Sequence, residues 1–379
     1  MGYLTKLGSP VLQSALLFRE QKKALPQTLI FFVTSRCNAR CDFCLYYDQI
    51  TNPVAKEREL TIPEVEKIAR NYGNLHYLGL SGGEPFVRKD LEQICQAFID
   101  HCSTQVIDIP SNFYYTDTMV ETMEPLVRKN PNVIFELQMS IDQIGEAHNE
   151  SRKVKDLYRK AIQSFRALSE IREEHSNLKL KISIVHLESN REHLDEIVSE
   201  LSREVQYDRI QLTFPHSMVP EGEDLASEEE LAEYTTAADH LTRRATSQNP
   251  ADLHTVGILS VKSIYHRLLA EAVKKHRNVG SYCEAGRYIV VINEKGDVFP
   301  CEPLWHPIGN LRDHNYEMKT VLNGKAYSDF RDRFLGEGKC NCTWSCAMHS
   351  TISVTPKYLP KLAWNAFGIV MSRLLGRAS

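Results

Sequence analysis

The chain has 379 residues, 42% apolar and 25% charged, the composition of an ordinary globular protein long enough for one large and one smaller domain. Lysine and arginine number 45 against 49 aspartate and glutamate, and a net charge of −4 gives no electrostatic case for a nucleic-acid partner. No run of about 18 apolar residues is present to span a bilayer and the first residues lack the pattern of a secretion signal, so the ten cysteines are expected in a reducing cytoplasm, as metal ligands or catalysts rather than disulfides.

Residues 1–27 read as a leader with a short helix over Val11 to Lys23. Strand-length apolar runs follow at Leu29–Thr34, Tyr77–Ser81, Val106–Pro110, Val133–Ser140, Leu180–Val185 and Arg209–Phe214. Helical patterns alternate with them at Pro63–Tyr72, Asp90–Cys102, Thr118–Lys129, Val154–Glu174, Asn190–Glu204 and Glu228–Ser247. Such alternation implies a parallel sheet, and residues 28–252 are read as one domain. Pro215–Asp252, with its acidic run Glu221–Glu230, reads as surface and linker into the last long helix. The pattern changes near Leu253, where a helix over Ser260–Lys275 leads into a cysteine-bearing region, giving a second domain over residues 253–350. The tail, residues 351–379, carries an amphipathic helix over Tyr358–Leu375.

Eight of the ten cysteines fall into two clusters. Cys37, Cys41 and Cys44 stand at C-x3-C-x2-C spacing directly after the first strand. A short loop of this kind can fold three thiolates around one cluster. A cubic 4Fe–4S cluster has four irons, so three cysteines leave one iron open. Zinc, the competing reading, favours a second cysteine pair or a histidine nearby, and none is close in sequence. Cys95 and Cys102, seven apart on one helical pattern, read as core packing.

The first signature resembles that of the radical S-adenosylmethionine (radical SAM) superfamily. The resemblance implies a partial (β/α)6 barrel of TIM type, with SAM chelated to the open iron and Phe43 near the adenine. Gly82-Gly83-Glu84-Pro85, after the second strand, resembles the superfamily's motif for the SAM amino group. Ser140-Ile141-Asp142, with His148 and Arg152 beyond it, looks like the element that reaches the SAM ribose and carboxylate. Asn112 reads more simply as a turn or capping residue. His186 and His216, at strand ends, are given no role.

In the second cluster Cys283, Gly296 and Cys301 match C-x9-15-G-x4-C, which opens the SPASM and Twitch extensions of radical SAM enzymes. Ile289–Ile292 and Asp297–Phe299 read as a hairpin between the two cysteines. Cys340, Cys342 and Cys346 then depart from the full SPASM pattern, and no cysteine follows. Five thiols can close one auxiliary 4Fe–4S cluster, from Cys283, Cys301, Cys346 and one of Cys340 or Cys342. A four-thiolate zinc site is the alternative. His349 reads as a surface or capping residue rather than a ligand. Glu302 follows Cys301, and an acidic residue in this region takes the substrate proton in sulfatase-maturing relatives; a solvated turn is the alternative.

The resemblance implies a cytoplasmic enzyme that cleaves SAM to a 5′-deoxyadenosyl radical and abstracts hydrogen from a peptide or protein side chain. Its electron would come from a low-potential donor such as ferredoxin or flavodoxin. The leader is too short for the peptide-binding module that some relatives carry, and a single auxiliary cluster keeps open a second reading, a Twitch-type dehydrogenase of a small alcohol, sugar or cyclitol. A non-catalytic iron–sulfur carrier is a third, against which the SAM-type motifs argue. The tail helix is expected to dock on the barrel; its aromatic and basic residues leave an interfacial helix on an anionic membrane as the alternative.

Overall fold

The computed structural model describes residues 25–215, 227–248, 253–275, 283–335 and 344–374. The expected leader helix, His216, most of the acidic run, Cys340 and Cys342 lie outside these residues.

Six parallel strands form the barrel: β1 Thr28–Thr34, β2 Tyr77–Gly82, β3 Val106–Ser111, β4 Ile134–Ser140, β5 Leu178–Val185 and β6 Arg209–Thr213. They lie side by side in sequence order, as right-handed crossovers dictate. The connecting helices are α1 Ile62–Tyr72, α2 Leu91–Cys102, α3 Thr116–Lys129, α4 Glu146–Arg152, α5 Leu157–Glu174, α6 Leu194–Glu204 and α7 Glu228–Gln248. The barrel is partial, and the chain then extends the sheet: β7 Ile289–Ile292 pairs in parallel with β1, Leu29 opposite Val290 and Phe31 opposite Ile292. β8 Asp297–Phe299 returns antiparallel on β7 as the expected hairpin, and β9 Gly309–Asn310 pairs on β8. The cysteine-bearing segment is therefore welded edge to edge onto the strand that leads into the first cysteine loop.

The core lies between sheet and helices. Leu29, Phe31, Leu78, Leu80, Ile107, Ile109, Phe135 and Leu137 are fully buried, and burial of each such side chain contributes about 1.5–3 kcal/mol. Helix α1 shows how local sequence fixes a boundary. Thr61 caps it, Glu64 reaches back to the Thr61 amide at 2.8 Å, and a proline sits in its first turn. Cys95 and Cys102 are buried in the core, and Cys102 Sγ donates to Ala69 O at 3.1 Å.

Some boundaries differ from the sequence reading. The helix expected from Val154 begins at Leu157, because Lys153 and Asp156 both have positive φ, 56° and 58°, which a helix cannot absorb. Polar α4, sequence EAHNESR, carries too little apolar pattern to be foreseen. The helix expected over Ser260–Lys275 starts earlier, as α8 Leu253–Lys275. Helix α9, Ser345–Val354, occupies what read as irregular chain. Helix α10, Leu359–Leu374, packs on α8, with Leu362 fully buried and Asn365 donating to Ser260 O at 3.4 Å. Trp364 and Phe367 of α10 stay 74% and 59% exposed.

The barrel interior is polar. Lys181 Nζ bridges Asp108 and Glu136 at 2.8 Å each, Arg209 donates to Glu136 at 3.1 Å, and the Tyr77 hydroxyl donates to Asp108 at 2.6 Å. TIM-type interiors are ordinarily filled by branched apolar layers. Here Tyr77, Asp108, Gln138 and Gln211 keep part of their surface accessible, so the lumen is not packed shut. Helix α8 faces it through Lys262, which donates to Gln211 at 3.1 Å.

Candidate active site

The site is built where β1 to β5 end. Thr34 closes β1, and its hydroxyl donates to Glu59 at 2.5 Å. Arg36 grips the same carboxylate through two nitrogens, at 3.1 and 3.0 Å. Glu59 is buried, so it holds the start of the cysteine loop against the sheet. Inside the loop Cys44 N donates to Cys41 O at 3.1 Å, Ala39 N donates to Cys37 Sγ at 3.3 Å, and Arg40 N donates to Arg152 O at 3.2 Å. Three thiols thus share one compact turn.

The glycine pair lies directly behind that turn. Gly83 N donates to Thr34 O at 2.7 Å and Glu84 N to Arg36 O at 2.9 Å. A Cβ at Gly82 would fall 2.3 Å from Thr34 O, and one at Gly83 2.2 Å from Arg36 O. Only glycine permits this approach. Glu84 is buried and accepts from Ser111 Oγ at 2.8 Å, Asn112 N at 2.8 Å and Phe86 N at 3.2 Å. Burial raises its carboxyl above the usual carboxylate range, against these hydrogen bonds. An ionised carboxylate has about four acceptor sites, so Glu84 has room for one more donor. It also ties β3 to β2, a task the sequence did not reveal. Asn112 serves the turn, as expected: its Oδ1 accepts from Tyr114 N at 3.0 Å and its Nδ2 donates to Asn38 at 2.8 Å. Asn38 Nδ2 is buried beside Cys37 without a partner.

Asp142 and Arg152 are paired. Both are buried, and Asp142 Oδ1 also accepts from Val185 N at 2.9 Å. Asp142 has no exposed surface, and it positions Arg152. The Arg152 guanidinium stands 5.6 Å from the Phe43 ring centroid, and its charge acts on Cys41 and Cys44. His148 Nδ1 accepts from Asp142 N at 3.3 Å, and burial with the Arg152 charge pushes the imidazole well below its ordinary pKa. Ser140 is half-buried at the end of β4, and His186 is buried against Tyr234.

Burial, with the Glu84 charge next, pushes the Cys37 thiol up to about 12. Burial likewise raises Cys44 to about 11 and raises Cys41 against the pull of Arg152. Ligand thiols are deprotonated outright by the metal they bind. Among the described residues no three histidine, cysteine or carboxylate groups converge as on a single ion. A cubic cluster asks for a different geometry, with each thiolate on its own iron.

The second cysteine group gathers close by. Glu284, after Cys283, donates from its amide to Thr351 of α9 at 3.2 Å. Glu302, after Cys301, accepts a hydrogen bond from Trp344, two residues before Cys346. Both segments thus lie along α9, that of Cys283 by Thr351 and that of Cys301 by Trp344, next to Cys346. Cys346 has accessible surface, yet protein surrounds the recess it faces: desolvation, then Glu302 and Asp108, push its thiol up to about 12. Glu302 also acts on Cys44, so its carboxylate is within electrostatic reach of both cysteine groups, and desolvation raises it to about 7. His349, expected at the surface, is turned inward against Tyr265, ring centroids 5.0 Å apart. Sequence reasoning missed Glu59 and the lumen charges. The only sequence signal for the latter is a charged residue inside successive apolar runs, Asp108, Glu136 and Lys181.

Comparisons with known proteins agree with this geometry. The profile of the radical SAM superfamily matches residues 31–201, and that of the SPASM iron–sulfur cluster-binding domain matches residues 283–347. GTP 3′,8-cyclase of Aquifex aeolicus is 39% identical over 66 residues, 17% of this chain and 21% of that protein. The enzyme of Staphylococcus carnosus is 33% identical over 85 residues, 21% of this chain and 25% of that one. The chain thus spans only about a quarter or less of these curated relatives. Among solved structures, native anSMEcpe with bound AdoMet superposes with a TM-score of 0.57 at 16% identity, covering 93% of this chain and 99% of the other. The same protein with bound AdoMet and the Cp18Cys peptide gives 0.55 at 16%, with the same coverage. Streptococcus suis SuiB gives 0.55 at 16%, covering 85% of this chain and 72% of SuiB. At such identities the likeness is one of fold, the partial TIM-type barrel.

Proposed function

In this chain, which carries a radical SAM domain followed by a SPASM iron–sulfur domain, we propose an enzyme that reductively cleaves SAM and abstracts hydrogen from a peptide or protein side chain. The observation that carries the reading is one juxtaposition. Cys37, Cys41 and Cys44 share a turn that Gly82 and Gly83 touch from behind and Arg152 faces from the side.

The residues fit the cofactors that these domains imply. Three clustered thiols, a cation beside them and an unpartnered amide at Asn38 suit an anionic cluster with one open iron. Cys37, Cys41 and Cys44 would hold it, and Cys283, Cys301, Cys346 and one of Cys340 or Cys342 would hold an auxiliary one. When bound, the reduced cluster and SAM supply a 5′-deoxyadenosyl radical that removes hydrogen from unactivated carbon.

The chain's own groups orient and protect. Gly82 and Gly83 leave backbone within reach of the SAM amino group, and Glu84 offers its remaining acceptor there. Arg152, fixed by Asp142, would present a cation to the SAM carboxylate, Phe43 would pack by the adenine and Ser140 would border the ribose. Glu302, within electrostatic reach of both cysteine groups, takes a substrate proton if the reaction is an oxidation. The electron comes from a low-potential donor such as ferredoxin or flavodoxin, and a reducing cytoplasm suits these thiols. The peptide substrate class is supported by a structural neighbour that holds a bound peptide. The test is anaerobic reconstitution with iron, sulfide, SAM and dithionite, following 5′-deoxyadenosine and then deuterium transfer into it from labelled candidate peptides. Steady 5′-deoxyadenosine formation supports the reading, and its absence from a fully loaded protein overturns it.

A further inference from the structure

The lumen charges are not balanced. Lys181 bridges Asp108 and Glu136, and Arg209 takes the other side of Glu136, so two cations meet two carboxylates. Lys262 is a fifth charge, 8% exposed on α8, and its amine donates to the neutral Gln211 amide at 3.1 Å. Among the described residues no carboxylate bonds it. Burial, then the charges of Arg209 and Lys181, push its amine well below the ordinary lysine range. Two nitrogens in this neighbourhood lack partners: Nε of Arg209, itself 6% exposed, and Nε2 of His349. The charges of Lys262 and Arg209 both act on His349, so the three nitrogens belong to one locality. Asp108 Oδ1, an unpartnered acceptor, lies three strands away on β3.

A buried donor without a partner costs about 1–3 kcal/mol, and an uncompensated charge more. A chain that keeps two unpartnered nitrogens and a lysine bonded to a neutral amide beside the lumen is arranged for a group not among its own side chains. Gln138 and Gln211, which border the lumen, remain partly accessible. It also adjoins the second cysteine group, because Asp108 and Lys181 act on Cys346.

We propose that Lys262 and Arg209, with Gln211 positioning the lysine, form an oxyanion receptor in the barrel lumen, which takes a carboxylate or phosphate group of the substrate. The oxyanion accepts from Lys262 Nζ and Arg209 Nε. The site deepens the enzyme reading, on which it rests only for calling the anion part of the substrate.

The test uses the full chain reconstituted with its clusters and SAM. Thermal unfolding is followed during titration with sodium phosphate and, separately, sodium acetate, against sodium chloride at matched ionic strength. We expect a rise of a few degrees over chloride in the wild type. The rise should vanish in Lys262→Met, which replaces the amine by an apolar chain of similar length. It should vanish too in Gln211→Glu, which sets a carboxylate against Lys262, so the test survives if one variant fails to fold. A rise with phosphate alone assigns a phosphoryl group, and a rise with acetate a carboxylate. No rise beyond chloride, or an equal rise in both variants, overturns the receptor. SAM cleavage by the wild type without substrate is followed in parallel; its absence would count against the enzyme reading instead.

Discussion

Arg152 and Asp142 form a buried ion pair, with Nε and Nη2 both donating to Oδ2, at 2.9 and 2.7 Å. The pair fixes a guanidinium whose charge acts on Cys41 and Cys44. Asp142→Asn keeps the shape and strands the cation. We expect it to lose about 3–5 kcal/mol, the usual cost of removing one partner of a buried pair. Urea unfolding measures this, and a loss below about 1 kcal/mol would show that Arg152 finds water instead.

Gly83→Ala should separate the loop from its backing. The added methyl would meet Arg36 O at 2.2 Å, so one of the two segments must move. Wild-type protein reconstituted without oxygen should hold about eight iron per chain, as two 4Fe–4S clusters, and the variant should hold about half. Unchanged iron in Gly83→Ala would mean that the contact does not shape the site. Four iron with one zinc in the wild type would make the second cysteine group a structural zinc site.

The strands were legible because buried parallel strands are continuous apolar runs. The cysteine loop was legible because its donors are close in sequence. The residues that hold it in place were not. Glu59 acts on Thr34 and Arg36 across more than twenty positions, and nothing local marks it. The pairing of β7 with β1 joins residues more than 250 apart, which no periodicity records. Helix α4 carries Arg152, yet its polar sequence hid it. Asp142 could be named from its motif but its pairing with Arg152 could not, since its three hydrogen bonds come from β5 and α4.

Glu64 of α1 and Arg312, after β9, clamp the C-terminal segment to the barrel, with Arg312 Nε donating at 2.7 Å. The Arg312 hydrogen bond is the main reason the Glu64 carboxyl falls to about 2 from 4.5. A depressed carboxyl stabilises the fold above its unfolded pKa and loses that contribution as the pH falls through the folded value. Glu64→Gln should therefore cost about 1 kcal/mol at neutral pH, discounted for partial solvent screening. The difference from wild type should fade between pH 4.5 and about 2. A constant difference across that range would contradict the assignment.

The tail helix gives two opposite expectations. Leu362 is fully buried against α8, so Leu362→Ala should cost about 2–5 kcal/mol. Trp364 is 74% exposed, so Trp364→Ala should change stability by less than about 0.5 kcal/mol. Trp364 and Phe367 are also the surface an interfacial helix would use. If the full-length protein does not sediment with anionic vesicles at low salt, that use is excluded.

Glu302→Gln tests the carboxylate within electrostatic reach of both cysteine groups. The change should leave 5′-deoxyadenosine formation nearly intact and block product formation if the reaction is an oxidation, because the lost function is proton acceptance. Wild-type product yield in the variant would reduce Glu302 to a partner of Trp344.

The most direct test of the whole account is 5′-deoxyadenosine formation by Cys41→Ala, reconstituted and assayed anaerobically beside the wild type. Cys41 is one of three thiols in the turn, and losing one ligand of three should lose the cluster. We predict formation in the wild type and none above background in the variant, with the fold retained by circular dichroism. Substantial 5′-deoxyadenosine from Cys41→Ala would contradict the three-thiolate site.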